Sequence, residues 1–260
     1  MRVIVTQPGR RSPDGASEIA NVGRLLGRLT VEIQAGDLVL LPELIGGEDD
    51  AEAYQAEVLA LASDLGVWVV GGSHFARDGE EWANRGIVAD PAGRAVARYG
   101  KLNPYGDERS RTVGAGPGPA SFQIGELSCL VMICADFWHA SAFATASPLP
   151  DLILVPAFSV SQRPDPSMAR ARWRHAMIAK SYESAAFVAV SDWAHPVRFE
   201  TGTSSGVAGL AHPNPSSPAE LHRALGRRRA AAFDLDMGAV LDLRANREGR
   251  GFDLTRHLRG

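Results

Sequence analysis

Leu127–Ile133 reads LSCLVMI and contains one polar residue, Ser128, in seven positions. A run this short and this apolar is typical of a strand buried on both faces, as in a parallel sheet that is covered by helices. Leu152–Pro156 and Phe187–Ser191 repeat the pattern, and Met168–Glu183, which has helical spacing, lies between them. This stretch and its neighbours therefore predict an α/β protein.

The N-terminal half shows the same alternation of apolar runs and helical segments. For one of its helices, Asp49 or Asp50 is expected to be the N-cap and Gly66 the end. The predicted elements are strands at Val3–Thr6, Asp37–Leu41 and Val67–Gly71 and helices at Ser17–Leu29 and Asp50–Leu65.

Further strands are predicted outside this βα alternation. Trp82–Asp90 and Ala95–Tyr99 flank the turn Asp90-Pro91-Ala92-Gly93, which indicates a hairpin. The extra strands suggest two sheets packed face to face with helices outside. The C-terminal elements are predicted as strands at Ser205–Ala211 and Ala230–Asp234 and a short helix at Met237–Arg244.

The bulk composition excludes several classes of protein. The chain has 260 residues, 45% of them apolar and 22% charged, with a formal net charge of −3. We predict one domain over residues 1–260, because no repeat, low-complexity tract or linker divides the chain. The basic cluster Arg227–Arg229 has no interleaved aromatic residues and is interpreted as an exposed loop, so no nucleic-acid partner is expected. With no signal peptide or membrane span found, the expected location is the cytoplasm.

The two cysteines, Cys129 and Cys134, are not expected to form a disulfide with each other. Five residues along a strand separate their Cα atoms by about 16 Å, whereas a disulfide needs less than about 7 Å. The chain also shows no Cys/His cluster with zinc spacing, so no metal site is predicted. Cys129 lies inside the apolar run and is interpreted as a core residue.

Three chemically useful side chains stand directly after predicted strands. Glu43, Lys101 and Cys134 each follow a strand, and ligands bind most often at strand ends in α/β folds. A carboxylate can take the thiol proton, and an ammonium can lower the thiol pKa and stabilise negative charge. The alternatives are a buried structural cysteine, a helix- or turn-capping glutamate and an exposed loop lysine.

The flanking sequence of these three residues resembles the nitrilase superfamily of carbon–nitrogen hydrolases. Leu40–Leu44 is similar to the block around the family's catalytic Glu, Tyr99–Arg109 to the block with the catalytic Lys, and Val131–Asp136 to the nucleophile block. The three blocks also follow in the family's order. The resemblance implies a Glu43-Lys101-Cys134 triad, with Glu108 matching a second glutamate.

The resemblance extends along most of the chain but has departures. Asn84 stands where these proteins often carry an Asn, and Lys180 matches only a helix block, where a structural role is expected. Ala135 replaces the aromatic residue that often follows the nucleophile, and Phe137-Trp138-His139 replaces an Arg-Phe-Pro run. These positions are expected to shape the substrate pocket, so the departures bear on which substrate binds more than on the chemistry of the thiol. The tentative pocket residues are Trp138, His139, Phe158 and Trp193, each with core packing as the alternative.

The family's chemistry implies hydrolysis of an amide- or carbamoyl-type bond through a thioester on Cys134. Lys101 and the backbone N–H of Ala135 would stabilise the oxyanion, and no metal or organic cofactor would be required. Three alternatives stay open, namely a nitrilase acting on C≡N, an acyl transferase and a non-catalytic binding member. The resemblance also implies an α-β-β-α sandwich that forms a homodimer or a larger homo-oligomer. The expected partner is a small-molecule amide-type substrate, and no membrane partner is expected.

Overall fold

The computed structural model describes residues 1–9, 17–28, 33–47, 50–78, 81–109, 113–144, 149–199 and 202–251. Its helices are α1 (Glu18–Leu26), α2 (Ala51–Leu65), α3 (Ala140–Ala144), α4 (Ser167–Ser184) and α5 (Met237–Gly249). Its strands are β1 (Arg2–Thr6), β2 (Leu38–Leu40), β3 (Trp68–Val70), β4 (His74–Asp78), β5 (Glu81–Ala89), β6 (Ala95–Gly100), β7 (Ala120–Ile124), β8 (Leu127–Val131), β9 (Leu152–Pro156), β10 (Val160–Ser161), β11 (Phe187–Ser191), β12 (Arg198–Phe199), β13 (Gly202–Ser204), β14 (Gly209–Ala211), β15 (His222–Ala224) and β16 (Ala230–Asp234).

Two mixed sheets carry the fold. The first has seven strands in the order β16-β1-β2-β3-β5, with β4 and β6 also paired to β5. The second has six strands in the order β15-β14-β11-β9-β8-β7. Each sheet has three neighbouring parallel strands, β1-β2-β3 in the first and β8-β9-β11 in the second. A small third sheet has the order β10-β13-β12.

The layers of the molecule follow the alternation of side chains along its strands. In β1, Val3 and Val5 face the apolar core between the two sheets, while Ile4 faces the opposite side. The outer face of the first sheet packs on α1 and α2, and the outer face of the second packs on α4. The structure therefore confirms the α/β class and the α-β-β-α sandwich.

The capping signals in the sequence mark the ends of two helices. The Ser17 side chain accepts a hydrogen bond from Ala20 N at the start of α1, and Asp50 does the same for Ala53 N in α2. Gly66 ends α2 in the left-handed region, as predicted. The predicted α1 end at Leu29 and the alternative cap Asp49 lie outside the described residues.

Some predicted boundaries were wrong. The strand predicted over Ser205–Ala211 covers only Gly209–Ala211, because the N–H of Ser205 donates to Ser159 O and that of Val207 to a buried carboxylate. The C-terminal helix continues past Arg244 to Gly249, with Arg247 donating to main-chain carbonyls at the end of α4. The predicted exposure of Arg227–Arg229 is confirmed. No helix in the described ranges is long and apolar enough to cross a bilayer.

Candidate active site

The predicted trio lies together at the strand ends. Glu43 follows β2, Lys101 follows β6 and Cys134 follows β8. Cys134 is close enough to Glu43 for the carboxylate to raise the pKa of the thiol, and Glu43 Oε1 is 2.7 Å from Lys101 Nζ. Glu43 and Lys101 are 2% and 4% exposed, so their charges interact with little solvent screening.

Glu108 and Asn84 complete a closed ring of polar contacts. Lys101 Nζ is 2.6 Å from Glu108 Oε2, so the ammonium is held between two carboxylates. Asn84 Nδ2 donates to Glu43 Oε1 at 2.9 Å and to Glu108 Oε1 at 2.8 Å. The N–H of Tyr105 also donates to Glu108 Oε2 at 2.9 Å. Glu108 is therefore part of the buried cluster and not an exposed loop carboxylate.

The electrostatics of the cluster favour a neutral thiol beside an ammonium. Burial raises the pKa of Cys134 well above its usual range, the Glu43 carboxylate raises this pKa further, and Lys101 lowers it. Burial alone would lower the pKa of Lys101, but Glu43, Cys134 and Glu108 together raise it above its usual value. The ammonium thus lowers the thiol pKa as expected, yet it does not outweigh burial and Glu43.

The Glu43 carboxylate is tuned by opposing effects. Burial raises its pKa, Lys101 lowers it and the nearby charge of Glu108 raises it again, with a net upward shift. A carboxylate with a raised pKa is a stronger base than a free one. The site therefore pairs a protonated thiol with a carboxylate whose affinity for a proton is increased.

Cys134 is the first residue of a 3₁₀ helix, Cys134–Trp138, that follows β8, and its backbone is strained. Its φ angle is 41°, in the left-handed region that non-glycine residues rarely adopt. The Sγ atom lies 3.7 Å from the carbonyl oxygen of Phe158, which accepts its S–H. Ala135, the proposed oxyanion donor, is buried beside it.

Asp136 connects the turn at Cys134 to the loop that begins at Lys101. Its carboxylate accepts hydrogen bonds from Leu102 N at 3.0 Å and from Asn103 N at 2.8 Å, and a third comes from Asn103 Nδ2 at 2.7 Å. Because Lys101 directly precedes Leu102 and Asn103, Asp136 fixes the distance between the turn at Cys134 and the Lys101 backbone.

The backbone of Glu43 is held from two sides. Its N–H donates to Ala157 O at 3.2 Å, and its carbonyl accepts the indole N–H of Trp193 at 2.8 Å. Trp193 is fully buried and packs in the core between the first sheet and its helices. Ser73 accepts the next N–H along the chain, that of Leu44, at 2.9 Å.

The remaining pocket candidates occupy different environments. Phe158 is partly buried, whereas Trp138 is 49% exposed and His139 is also exposed. Trp138 packs edge-to-face on Trp173, with ring centroids 5.2 Å apart. Contact of these side chains with substrate stays a prediction. Lys180 lies on the surface of α4, with Nζ 2.9 Å from Glu183 Oε2.

Several residues of the cluster were not assigned from the sequence. The sequence matches Asn84 only to a family position and predicts no role for Ser73, Asp136 or Asp192, although all four are fully buried. Asn84 lies inside a strand and Asp192 directly follows one, and a polar residue in such an apolar setting is the signal that could have found these two. Ser73 and Asp136 lie in the connections after β3 and β8, where the sequence has no such signal. Among the described residues, no group of three His, Cys, Asp or Glu side chains is placed to bind a metal ion.

Comparison with known proteins shows the family of the chain. The family model described as carbon-nitrogen hydrolase matches residues 17–208. Curated protein sequences give no significant match.

Three similar solved structures share the fold at low sequence identity. Nit3 of Saccharomyces cerevisiae, a member of branch 10 of the nitrilase superfamily, is 15% identical with a TM-score of 0.78, covering 95% of this chain and 93% of that one. A CN-hydrolase superfamily protein of Xanthomonas campestris is 21% identical with a TM-score of 0.73, covering 95% and 94%. An amidase of Nesterenkonia is 18% identical with a TM-score of 0.72, covering 96% and 99%. The chain belongs to the carbon–nitrogen hydrolase family of the nitrilase superfamily.

Proposed function

We propose that this protein hydrolyses a non-peptide carbon–nitrogen bond of amide or carbamoyl type through a thioester on Cys134. The observation that carries the proposal is the buried Lys101 ammonium, which lies between the carboxylates of Glu43 and Glu108 beside the thiol. This arrangement provides a nucleophile, a base and an electrostatic stabiliser within contact of one another.

The proposed reaction uses each group in turn. Glu43 accepts the S–H proton as the Cys134 sulfur attacks the carbonyl carbon, and the carbonyl π electrons move onto oxygen. Lys101 and the Ala135 N–H stabilise this oxyanion. The C–N bond then breaks as Glu43 returns the proton to the nitrogen, which leaves as ammonia or an amine. General acid–base catalysis contributes roughly 10²–10⁴-fold, and one oxyanion donor about 10²–10³-fold.

The second half of the reaction regenerates the thiol. Glu43 removes a proton from a water that Glu108 helps to position, and the water oxygen attacks the thioester carbon. The C–S bond breaks, the acid product leaves, and the sulfur recovers the proton from Glu43. The raised pKa of Glu43 suits both directions of this proton transfer.

Two of the structural relatives are described in terms that support a reactive cysteine. The Nesterenkonia amidase is described with acrylamide added to its active-site cysteine, and the Xanthomonas campestris protein with an arsenic adduct in its active site. Both reagents are typical of thiol chemistry. By analogy they support Cys134 as the reactive group of this chain.

Ammonia release across a panel of amides, carbamoyl compounds and nitriles tests the proposal. We expect release from at least one amide or carbamoyl compound and none from Cys134→Ala. Release from nitriles alone would replace the proposal with a nitrilase, and a hydroxamate formed faster than the acid when hydroxylamine is added would favour acyl transfer. No release and no adduct on Cys134 by intact mass would contradict catalysis altogether.

The homodimer stays a proposal that the family resemblance supports. The exposed large side chains Trp138, Met168 and Tyr182 provide apolar surface near α4 that a second copy could cover. Light scattering coupled to size exclusion is the direct measurement. A mass of one chain at micromolar concentration would contradict this part of the proposal.

A further inference from the structure

Asp192 is a buried carboxylate that the proposed reaction does not use. It directly follows β11 and has no exposed surface. Its Oδ1 accepts the N–H of Ser159 at 3.0 Å, and its Oδ2 accepts the N–H of Val207 at 2.9 Å together with the Ser159 hydroxyl. These partners are all neutral, so the carboxylate joins three loops without forming an ion pair with them.

The segment that Asp192 holds contacts both reacting groups. Ala157, Phe158 and Ser159 follow β9 in succession. The carbonyl of Ala157 accepts the N–H of Glu43 at 3.2 Å, and the carbonyl of Phe158 accepts the S–H of Cys134 at 3.7 Å. Ser159 then donates both its N–H and its hydroxyl to Asp192. One short segment therefore links Asp192 to the base and to the nucleophile.

A second path leads from Asp192 to the base. Trp193, the next residue, donates its indole N–H to the main-chain carbonyl of Glu43 at 2.8 Å. The Glu43 backbone is thus held by Ala157 on its N–H and by Trp193 on its carbonyl. Ala157 lies two positions before Ser159, and Trp193 directly follows Asp192.

The hydrogen bonds at Asp192 require a group that only accepts. Two donors of Ser159 and the N–H of Val207 point at its two oxygens, and the backbone N–H of Trp193 adds a further hydrogen bond to the carboxylate. An amide would therefore place its own N–H₂ against at least one backbone N–H. Burial raises the pKa of Asp192 to about 6, while the hydrogen bonds from Ser159 and Val207 lower it. Ionisation of Asp192 therefore opposes folding, and fold stability alone does not account for a carboxylate here.

We propose that Asp192 is a positioning residue, which fixes the segment Ala157–Ser159 and thereby the relative placement of Glu43 and Cys134. The inference rests on the proposed function, because it assigns a role toward that same reaction. Asp192 touches neither substrate nor the reacting atoms, and it acts through Ser159 and Trp193.

The test compares Asp192→Asn with Ser159→Ala. Asp192→Asn keeps the side-chain shape, and we expect kcat to fall about 100-fold with KM within about threefold, the size of effect that a displacement near 1 Å produces. Alkylation of Cys134 by iodoacetamide, followed by intact mass, should slow by about tenfold. Ser159→Ala removes only the hydroxyl hydrogen bond to Asp192 and should lower kcat by about tenfold without a large change in melting temperature.

Asp151→Asn is the matched control. Asp151 precedes β9 at its other end, and its buried carboxylate accepts from Ser128 N at 2.8 Å and Arg244 Nη1 at 2.7 Å. We expect this variant to melt at a lower temperature with kcat and alkylation unchanged. Equal activity losses in Asp151→Asn and Asp192→Asn would overturn the proposal, as would an Asp192→Asn protein that keeps kcat and alkylation within about twofold of wild type.

Two further outcomes are decisive. If Asp192→Asn does not fold, the Ser159→Ala variant tests the proposal. A lower kcat at an unchanged melting temperature in Ser159→Ala supports the positioning role, and an unchanged kcat overturns it. If wild-type protein neither turns over any panel compound nor alkylates at Cys134, it is the proposed function that fails. An active wild type with an equally active Asp192→Asn contradicts the positioning role alone.

Discussion

Lys101 carries one positive charge between two carboxylates that it cannot fully neutralise. The excess negative charge is buried. Asn84 provides further hydrogen-bond donors to it, because its Nδ2 donates to both Glu43 and Glu108. Each contact to a charged group is worth roughly 1.5–3 kcal/mol. Asn84 therefore helps to keep Glu43 ionised, although this residue has no part in bond making.

Replacing this amide by a carboxylate should have a large effect. Asn84→Asp substitutes an acceptor for two donors and adds a third negative charge, so the pKa of Glu43 should rise. We expect kcat/KM at pH 7 to fall by about 100-fold or more, with the acid limb of the pH profile moved upward. Asn84→Ala is the matched variant, because it removes the donors without adding charge. A profile with the same acid limb in wild type and Asn84→Asp would contradict this role.

The thiol itself should titrate at unusually high pH. Burial and the Glu43 charge raise the pKa of Cys134, so removing that charge with Glu43→Gln should lower it. The measurement is thiolate absorbance in the ultraviolet, with the signal of a Cys134→Ser protein subtracted to remove Cys129. Turnover should be lost in Glu43→Gln even though its thiol ionises more readily. A thiol pKa that is equal or higher in Glu43→Gln would show that Glu43 is not the neighbour that controls it.

At the scale of elements, strand ends and turns bring the site together. Much of this could be predicted, because buried strands such as β8 and β11 are continuous apolar runs and helix ends carry local caps. The short strands β12 and β15 have no such signal, and β14 was predicted four residues too long at its start. The N–H of Val207 donates to the Asp192 side chain and not to a neighbouring strand. Asp192 lies 15 positions earlier in the chain, so the local sequence pattern cannot predict this contact.

The same limit applies to the candidate site. Glu43, Lys101 and Cys134 stand directly after predicted strands, so their meeting could be expected from topology. Asn84 and Asp192 bind residues 41 and 33 positions away through side chains. No spacing rule predicts such contacts, since they depend on which faces of two sheets pack together.

The turn before Glu43 depends on one close backbone approach. Gly72 has φ 69°, and a Cβ there would lie 2.1 Å from the carbonyl oxygen of Pro42. Gly72→Ala should therefore lower the free energy of unfolding by about 2–4 kcal/mol and displace Glu43, with a loss of activity. Gly47→Ala is the control, because its φ is 70° but nothing lies within 4 Å of the added Cβ. Chemical denaturation with equal losses in both variants would show that the clash with Pro42 is absent.

At the scale of the whole molecule, a polar contact joins the two sheets at the carboxyl ends of their parallel strands. Ser191 lies on β11 of the second sheet, while Thr6 and Leu40 lie on β1 and β2 of the first. The Thr6 N–H donates to Ser191 Oγ at 2.9 Å, and Leu40 O lies 2.6 Å from the same hydroxyl, which can donate to it. All three are fully buried. This contact fixes the position of one sheet on the other across an otherwise apolar interface.

Removing this hydroxyl should weaken the whole sandwich. Ser191→Ala leaves the buried Thr6 N–H without its acceptor, so the free energy of unfolding should fall by about 1–3 kcal/mol. β1 and β11 belong to the parallel strands of their sheets, so the loss of stability should appear in one cooperative unfolding transition. The denaturant midpoint should fall, and the dependence of the unfolding free energy on denaturant should stay unchanged. Ser181→Ala is the matched control, since its buried hydroxyl donates to Ala186 O at 2.6 Å within one connection, and its loss should be nearer the lower end of that range. A Ser191→Ala midpoint no lower than that of Ser181→Ala would mean that the sheets are held by apolar packing alone.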